Sequence, residues 1–243
     1  SVTIWDVDQE PDPVEDYDVP WSQRDIHSKP LCRLPKKASH KFGISKLSWW
    51  PFNNDMFLTG SYDTTLKVWD TEGLEEVYSF DLDHKVYCFD INPLEDEGLV
   101  AAGLDHPNIR LVDLRVGGAT QSLSGHSAGG ICSIKWSPTR EYMLASGGSD
   151  GTVRIWDIRR ANQQVACMDM LRTNVEQELA PLEFRRSHRS ACNGLLWHPS
   201  GDELLSLGLD NKVRIWDLTG EPGGGTNKSV NFGPLFQNRR QQN

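Results

Sequence analysis

The stretch that decides the fold occupies residues 146–159 and has the sequence SGGSDGTVRIWDIR. Apolar and polar residues alternate on either side of the pair Asp150-Gly151. An Asp-Gly pair between two alternating segments predicts a tight turn that joins two antiparallel strands. The second of these strands ends at Trp156-Asp157. The stretch therefore predicts a β-hairpin rather than a helix.

This hairpin belongs to a repeat that occurs four times, over residues 46–70, 86–113, 131–157 and 194–217. Each copy begins with a short apolar strand that ends in Pro, continues with a second strand, and turns at an Asp before the third strand. The turn residues lie 42, 45 and 60 residues apart and are Asp63, Asp105, Asp150 and Asp210. A period of about 40–45 residues is typical of propeller blades, and the longer last spacing indicates an insertion.

The repeats resemble the WD-repeat family of β-propellers. The resemblance rests on Gly125-His126, followed thirty residues later by Trp156-Asp157, and residues 2–6 look like the end of a further copy. It covers residues 1–6 and 39–220 and implies an all-β fold with about five of the seven blades usual in that family. We therefore expect residues 1–243 to form a single partial β-propeller, either an incomplete ring or a fragment of a longer protein.

Three segments lie between or after the repeats. Residues 6–38 form a charged insertion, in which seven acidic residues precede a run of basic ones. A second insertion covers residues 161–187. Residues 220–243 form a tail rich in Gly, Asn, Gln and Arg, within which residues 228–232 are a candidate outer strand. Blocks of like charge usually form solvated loops, and this predicts a loop over residues 6–38. A docking loop for a partner is the alternative.

One set of polar residues recurs with the repeat and imitates a catalytic triad. Ser146, His126 and Asp150 are the residue types of a serine hydrolase, but such an enzyme needs one set beside one oxyanion hole. Recurrence in register favours a buried hydrogen-bond network instead, which the resemblance to WD repeats also implies. The predicted structural tetrads are His40, Thr59, Asp63 and Trp69; His126, Ser146, Asp150 and Trp156; and His188, Ser206, Asp210 and Trp216.

The second repeat departs from this pattern. It keeps His84 and Asp105, but Ala101 and Val112 occupy the places of the hydroxyl residue and the Trp. We expect this blade to be held less firmly, because two members of its network are absent.

A second motif lies just past the third strand of two neighbouring repeats, where the pattern Asp-x-Arg occurs twice at a separation of 44 residues. Guanidinium groups that project from one rim suit carboxylate or carbonyl acceptors on a partner. Pairing of each Arg within its own blade is the alternative. The predicted partner-binding residues are Arg159, Asp157, Trp156, Arg115 and Asp113.

Residues 156–159 form a Trp-Asp-x-Arg box. This box is similar to the one found in those WD-repeat proteins that are substrate receptors of cullin-4-type RING E3 ubiquitin ligases. The resemblance implies docking on their propeller adaptor, the large subunit of the damage-specific DNA-binding complex. Residues 64–71, 86–93, 156–161 and 230–233 resemble the Cockayne syndrome A branch of these receptors. This implies a nuclear, non-enzymatic receptor in transcription-coupled nucleotide-excision repair. A generic WD-repeat scaffold in a chromatin or RNA-processing complex is the alternative, and an enzyme is the third class.

Composition argues against several other classes. The 25 Lys and Arg residues against 34 Asp and Glu residues give a net charge of −9, so direct nucleic-acid binding is not the expected activity. No run approaches the ~18 apolar residues of a membrane-spanning helix, and we do not expect a secretory leader. The five Cys residues are widely spread, and no His pair has ligand spacing. We therefore expect reduced thiols, no metal and no cofactor.

Overall fold

The computed structural model describes residues 2–5, 30–33, 39–94, 98–160, 164–172, 181, 184–219 and 226–231, with the backbone alone for Trp5 and for residues 30–33 and 226–231. The strands of these residues build four four-stranded antiparallel sheets and one two-stranded sheet. This confirms the predicted all-β fold of a partial propeller. No helix among the described residues is long and apolar enough to cross a membrane.

Each four-stranded sheet is a blade whose strands pair in chain order, from a first strand to an outer fourth strand. The two-stranded sheet consists of β1 (Thr3–Trp5) and β2 (Pro30–Arg33). The first blade consists of β3 (Ile44–Trp49), β4 (Met56–Ser61), β5 (Thr65–Asp70) and β6 (Glu76–Asp81). The second blade consists of β7 (Val86–Ile91), β8 (Leu99–Leu104), β9 (His106–Asp113) and β10 (Gly118–Leu123). The third blade consists of β11 (Ile131–Trp136), β12 (Met143–Gly148), β13 (Val153–Asp157) and β14 (Gln164–Cys167). The fourth blade consists of β15 (Cys192–Trp197), β16 (Glu203–Gly208), β17 (Lys212–Asp217) and β18 (Thr226–Asn231).

Outer strands lie within the three segments between and after the repeats. Strand β2 lies within the segment 6–38 and β14 within 161–187, while β18 lies within the tail 220–243. An outer strand has only one neighbouring strand and need not bury a regular apolar face, so its sequence carries a weak signal. Within these segments, the residues that lie outside the described part of the chain are 6–29, 34–38, 161–163, 173–180, 182–183, 220–225 and 232–243.

The hydrophobic core lies between blades rather than within them. Separate clusters of buried side chains join the first blade to the second, the second to the third, and the third to the fourth. Small residues on the middle strands allow this close approach. A Cβ atom added at Gly60 would lie 2.7 Å from Val86 Cγ1, and one added at Gly147 would lie 2.7 Å from Cys192 Sγ. The blades therefore stack face to face, as in a propeller.

Alternate loops of a blade lie at opposite ends, which gives the stack two rims. One rim carries the turn between the second and third strands, and we call it the turn rim; its residues include Asp63, Asp105, Asp150 and Asp210. The other rim carries the end of the third strand, and we call it the strand-end rim; its residues include Asp70, Asp113, Asp157 and Asp217. The N–H of Thr71 donates to Asp55 O at 2.8 Å and joins two loops of the strand-end rim.

Candidate functional site

Three of the four blades contain the same chain of hydrogen bonds near the turn rim. In the third blade, the indole N–H of Trp156 donates to Ser146 Oγ at 2.8 Å. The same hydroxyl group lies 2.7 Å from His126 Nε2, and His126 Nδ1 lies 3.1 Å from Asp150 Oδ1. The first and fourth blades join the corresponding residues in the same order: Trp69, Thr59, His40 and Asp63, and Trp216, Ser206, His188 and Asp210. The structure thus brings together each predicted set of four.

The direction of these hydrogen bonds follows from the chemistry of Trp. An indole N–H can only donate, so the oxygen of Ser146 accepts from Trp156 and its hydrogen is directed to His126. His126 therefore accepts at Nε2 and carries its proton on Nδ1, from which it donates to Asp150. The carboxylate also accepts from two backbone N–H groups at 3.0 Å. Each tetrad ties the loop before the first strand to the turn before the third.

The tetrads lack the accessibility of catalytic triads. The hydroxyl of Ser146 is fully buried, and its oxygen already accepts from an indole, so no substrate can reach it as a nucleophile. Trp156, which the sequence also placed among the partner-binding residues, is 0% exposed. A partner cannot contact its ring in the folded blade, and its contacts assign it to the tetrad. Across the described residues, no three His, Cys, Asp or Glu side chains converge as metal ligands.

Burial determines the protonation state of the tetrads. It lowers the pKa of all three tetrad histidines below the ordinary value of 6.5, against the opposing effect of the neighbouring carboxylates. Burial raises the pKa of a carboxyl group, but hydrogen bonds outweigh it here. Those from Thr65 and nearby backbone N–H groups lower the pKa of Asp63 to about 2, and the pKa values of Asp150 and Asp210 are also lowered. Each pair is therefore a neutral imidazole beside a carboxylate at neutral pH.

This arrangement predicts that acid destabilises the protein. Below about pH 6.5 the unfolded histidines bind protons that the folded ones do not, so the free energy of unfolding decreases as the pH falls. A second decrease is expected between about pH 4 and pH 2, where the unfolded carboxylates are protonated before the folded ones. Thermal melts between about pH 7.5 and pH 5 measure the first decrease. His126→Asn removes one titrating group and should make it shallower. A melting temperature that stays constant or rises on acidification would contradict the prediction.

The second blade lacks this network and uses its residues differently. Within the described part of the chain, His84 makes no hydrogen bond to Asp105 and stacks instead on His106, with ring centres 4.6 Å apart. Asp105 lies near Tyr87, and burial together with this carboxylate raises the pKa of the Tyr87 hydroxyl. In the other blades the residue after the turn Asp has a positive φ angle, and these residues are Thr64, Gly151 and Asn211. His106 does not have one, so the turn of the second blade follows a different path.

At the strand-end rim, Arg159 forms a fork with the carboxylate of its own blade. Its Nε donates to Asp157 Oδ1 at 3.0 Å, and its Nη2 donates to Oδ2 at 3.0 Å. The guanidinium also lies over the ring of Tyr142, with Cζ 4.5 Å from the ring centre. The Arg159 side chain is 62% exposed, whereas Asp157 is buried and its pKa is lowered by the hydrogen bond from Arg159. Arg159 is thus held in one orientation, with three of its five N–H groups not used by Asp157.

Arg115 repeats the fork on the neighbouring blade. Its Nε lies 3.3 Å from Asp113 Oδ1 and its Nη2 lies 3.1 Å from Oδ2, and its side chain is 53% exposed. In the other two described blades, the strand-end Asp accepts hydrogen bonds from donors other than an Arg side chain. Asp217 accepts from Thr219, and Asp70 accepts from a backbone N–H of its own turn. Every strand-end Asp therefore stabilises a turn, and two adjacent blades add an exposed guanidinium.

A cavity of about 460 Å³ lies beside Arg159, and its lining residues include Leu94, Arg140, Glu141 and Tyr142. Leu94 comes from the second blade and is well exposed. The side chain of Asn92 donates to Glu141 O at 2.8 Å and fixes the second blade to the third at this place. Exposed apolar and aromatic surface beside oriented Arg donors suits a polypeptide partner.

Sequence reasoning missed three residues of this surface. Tyr142 precedes a second strand and Leu94 follows a first strand, so neither belongs to the Asp-x-Arg motif. Arg160 directly follows Arg159, and its Nε lies 3.3 Å from Asp157 Oδ2. Two successive Arg residues after a Trp-Asp pair were the available signal for Arg160. Nothing in the sequence signalled Tyr142 or Leu94.

Comparison with known families agrees with the geometry. The family model described as "WD domain, G-beta repeat" matches residues 29–70, 117–157 and 180–217. These ranges contain the three complete tetrads and omit most of the second blade, which lacks one. The chain is therefore a WD40-repeat protein, and its sheets are blades of a WD β-propeller.

Individual proteins of this family are similar to the chain over most of its length. The chain is 29% identical over 255 residues to the WD repeat-containing protein ATCSA-1 of Arabidopsis thaliana, an alignment that covers 79% of the chain and 56% of that protein. It is 31% identical over 208 residues to radiation-sensitive protein 28 of Saccharomyces cerevisiae, covering 78% and 41%. It is also 31% identical over 182 residues to a ribosome biogenesis protein WDR12 homolog of Aedes aegypti, covering 74% and 37%. The chain thus spans about half the length of these curated relatives.

Proposed function

We propose that this chain is a non-catalytic interaction platform that acts as a substrate receptor of a cullin-4-type RING E3 ubiquitin ligase in transcription-coupled nucleotide-excision repair. It docks on the propeller adaptor, the large subunit of the damage-specific DNA-binding complex, and works in the nucleus. The observation that carries the proposal is the pair of Asp-x-Arg forks on adjacent blades.

The geometry supports docking at the strand-end rim. Asp157 and Tyr142 hold the guanidinium of Arg159 in place, so binding a partner orders few additional bonds of this side chain. The unused N–H groups suit carbonyl or carboxylate oxygens of a polypeptide. Arg115 presents a second fork of the same form on the next blade. Two guanidinium groups held in fixed orientations on neighbouring blades favour one position of the partner along the rim.

The comparisons support the same assignment. The name of the Arabidopsis relative contains CSA, the abbreviation of the branch that the sequence motifs resemble, and the yeast relative is named for radiation sensitivity. Both names agree with a role in DNA repair. Because the chain spans only about half of each relative, the adaptor and the repair pathway are the proposal here.

The test compares adaptor recovery with stability. Arg159→Ala should reduce recovery of the adaptor in a pull-down by at least about tenfold, because an interfacial Arg is often a dominant contact. The melting temperature should remain almost unchanged, since the side chain is largely exposed. Arg115→Ala should show a weaker form of the same separation. Arg110→Ala is the matched control, because Arg110 pairs with Asp83 away from the strand-end rim.

The possible outcomes distinguish a role of Arg159 in binding the adaptor from a role in stabilising the blade. Unchanged adaptor recovery from the Arg159 variant would reject docking through this fork. A loss of recovery accompanied by a clearly lower melting temperature would assign Arg159 to the stability of the blade. A loss that Arg110→Ala reproduces equally would show that general charge, rather than the fork, controls recovery.

The alternative function is that of a WD-repeat scaffold in a nuclear complex that handles chromatin or RNA. The similarity to a relative named for ribosome biogenesis favours this alternative. Co-purification separates the two functions. A ligase receptor recovers the adaptor and the cullin, whereas a ribosome-assembly scaffold recovers pre-ribosomal proteins and no cullin.

A further inference from the structure

The turn rim carries an aromatic pocket between the first and second blades, on the rim opposite to the Asp-x-Arg forks. The pocket has a volume of about 580 Å³, and its lining residues are Phe42, Gly43, Tyr62, Lys85 and Tyr87. Phe42 is 68% exposed and Tyr62 is 45% exposed. Side chains of this size are normally withdrawn from water, so two exposed rings around one cavity indicate a surface that a partner covers.

The rear ring of the pocket, that of Tyr87, is held by two contacts. It packs edge-on against Tyr62 with ring centres 6.0 Å apart. On the other side it lies against Gly130, where an added Cβ would be 2.7 Å from Tyr87 Cε2. In addition, the N–H of Tyr62 donates to Gly43 O at 3.1 Å. The rings of Tyr62 and Tyr87 are therefore held in place before any ligand binds.

This pocket lies where the second blade departs from the repeat. In the other three blades the turn Asp accepts from a buried His, whereas Asp105 is exposed and lies near Tyr87. Ala101 and Val112 remove the hydroxyl and indole groups that would hold His84 in a tetrad. A regular structural network that is broken in one copy, at the wall of an exposed pocket, is the pattern expected of a functional site.

The charge of the pocket indicates the chemistry of its occupant. Lys85 is the one charged residue that lines it, and among the described residues Lys85 forms no ion pair. An ammonium group beside aromatic walls attracts a carboxylate and repels an Arg or Lys side chain. We propose that this pocket binds a segment of a protein partner in which an aromatic or large apolar side chain lies next to an Asp or Glu. The inference does not depend on docking of the adaptor at the strand-end rim.

The test uses three acetylated and amidated tetrapeptides, Gly-Phe-Asp-Gly, Gly-Phe-Lys-Gly and Gly-Ala-Asp-Gly, titrated into the isotope-labelled full chain and followed by NMR. The Phe-Asp peptide should shift the signals of residues 42–43, 62 and 85–87. The other two peptides should bind at least about fivefold more weakly, because each lacks one of the two contacts. Lys85→Glu should reverse the preference, so that the Phe-Lys peptide binds more tightly than the Phe-Asp peptide.

Two variants separate the pocket from general effects. Phe42→Ala should weaken binding of the Phe-Asp peptide at least about fivefold, with the fold intact by thermal melt. Tyr78→Ala is the control, because Tyr78 is an exposed aromatic residue on the outer strand β6 and does not line the pocket. Tighter binding of the Phe-Lys peptide by the unsubstituted chain would overturn the proposal. So would shifts confined to other residues, or no shift at these positions up to about 10 mM peptide.

Discussion

Trp156→Ala is expected to lower the free energy of unfolding by about 3–5 kcal/mol, the range seen when a fully buried aromatic side chain is removed. The Trp156 ring is completely buried in the cluster that joins the second and third blades. It also fits beneath Gly125, where an added Cβ would lie 2.7 Å from the indole. Its N–H donates to Ser146, so the substitution removes a hydrogen bond as well as a packed ring. Urea titration measures the loss.

Two further variants separate these contributions. Trp156→Phe keeps most of the ring but removes the N–H, and it should cost about 1–2 kcal/mol. Trp49→Ala is the matched control, because Trp49 is 47% exposed on the first strand of the first blade, and it should cost below about 1 kcal/mol. Equal losses for Trp49→Ala and Trp156→Ala would contradict the assignment of Trp156 to the core.

The sequence predicted the blades because the same local signals occur in each copy. An apolar strand, a turn Asp and a third strand recur between residues 46 and 217, and the four described sheets follow these copies. Whereas β18 overlaps the candidate outer strand at residues 228–232, outer strands β2 and β14 were harder to predict. They pair along one edge and occur in segments that differ between copies, so neither periodicity nor repetition marks them.

The two rims differed in what the sequence could reveal. The equivalent positions of Arg159 and Arg115 follow from the repeat alone. The ring of Tyr142 under Arg159 depends on the contact between a loop and a strand end, which no local pattern encodes. The same holds for the aromatic pocket, since Phe42 and Tyr87 come from different blades. Repetition predicts the features that the blades share. Residues that occur in only one blade come into contact only when the blades pack together, so the repeat pattern does not predict their contacts.

The role of the turn Asp should therefore differ between blades. Asp150→Ala is expected to lower the free energy of unfolding by about 2–3 kcal/mol, because it leaves the Nδ1–H of His126 and two backbone N–H groups without their acceptor. Asp105→Ala should cost below about 1 kcal/mol, since the Asp105 side chain is exposed. Urea titrations of both variants provide the comparison.

The Asp105 variant also has a readout that stability does not provide. Asp105→Ala removes a negative charge near Tyr87, a wall of the aromatic pocket, and should strengthen binding of the Phe-Asp peptide while the chain stays folded. Asp150→Ala, measured where it remains folded, should leave peptide binding unchanged, because Asp150 lies in the third blade and does not line the pocket. Equal stability losses would mean that the second blade is held by its turn Asp as firmly as the third. Asp105 and Asp150 occupy equivalent positions in the repeat. A difference between the effects of the two substitutions on stability and on peptide binding therefore shows how the role of the turn Asp changes in a blade without a tetrad.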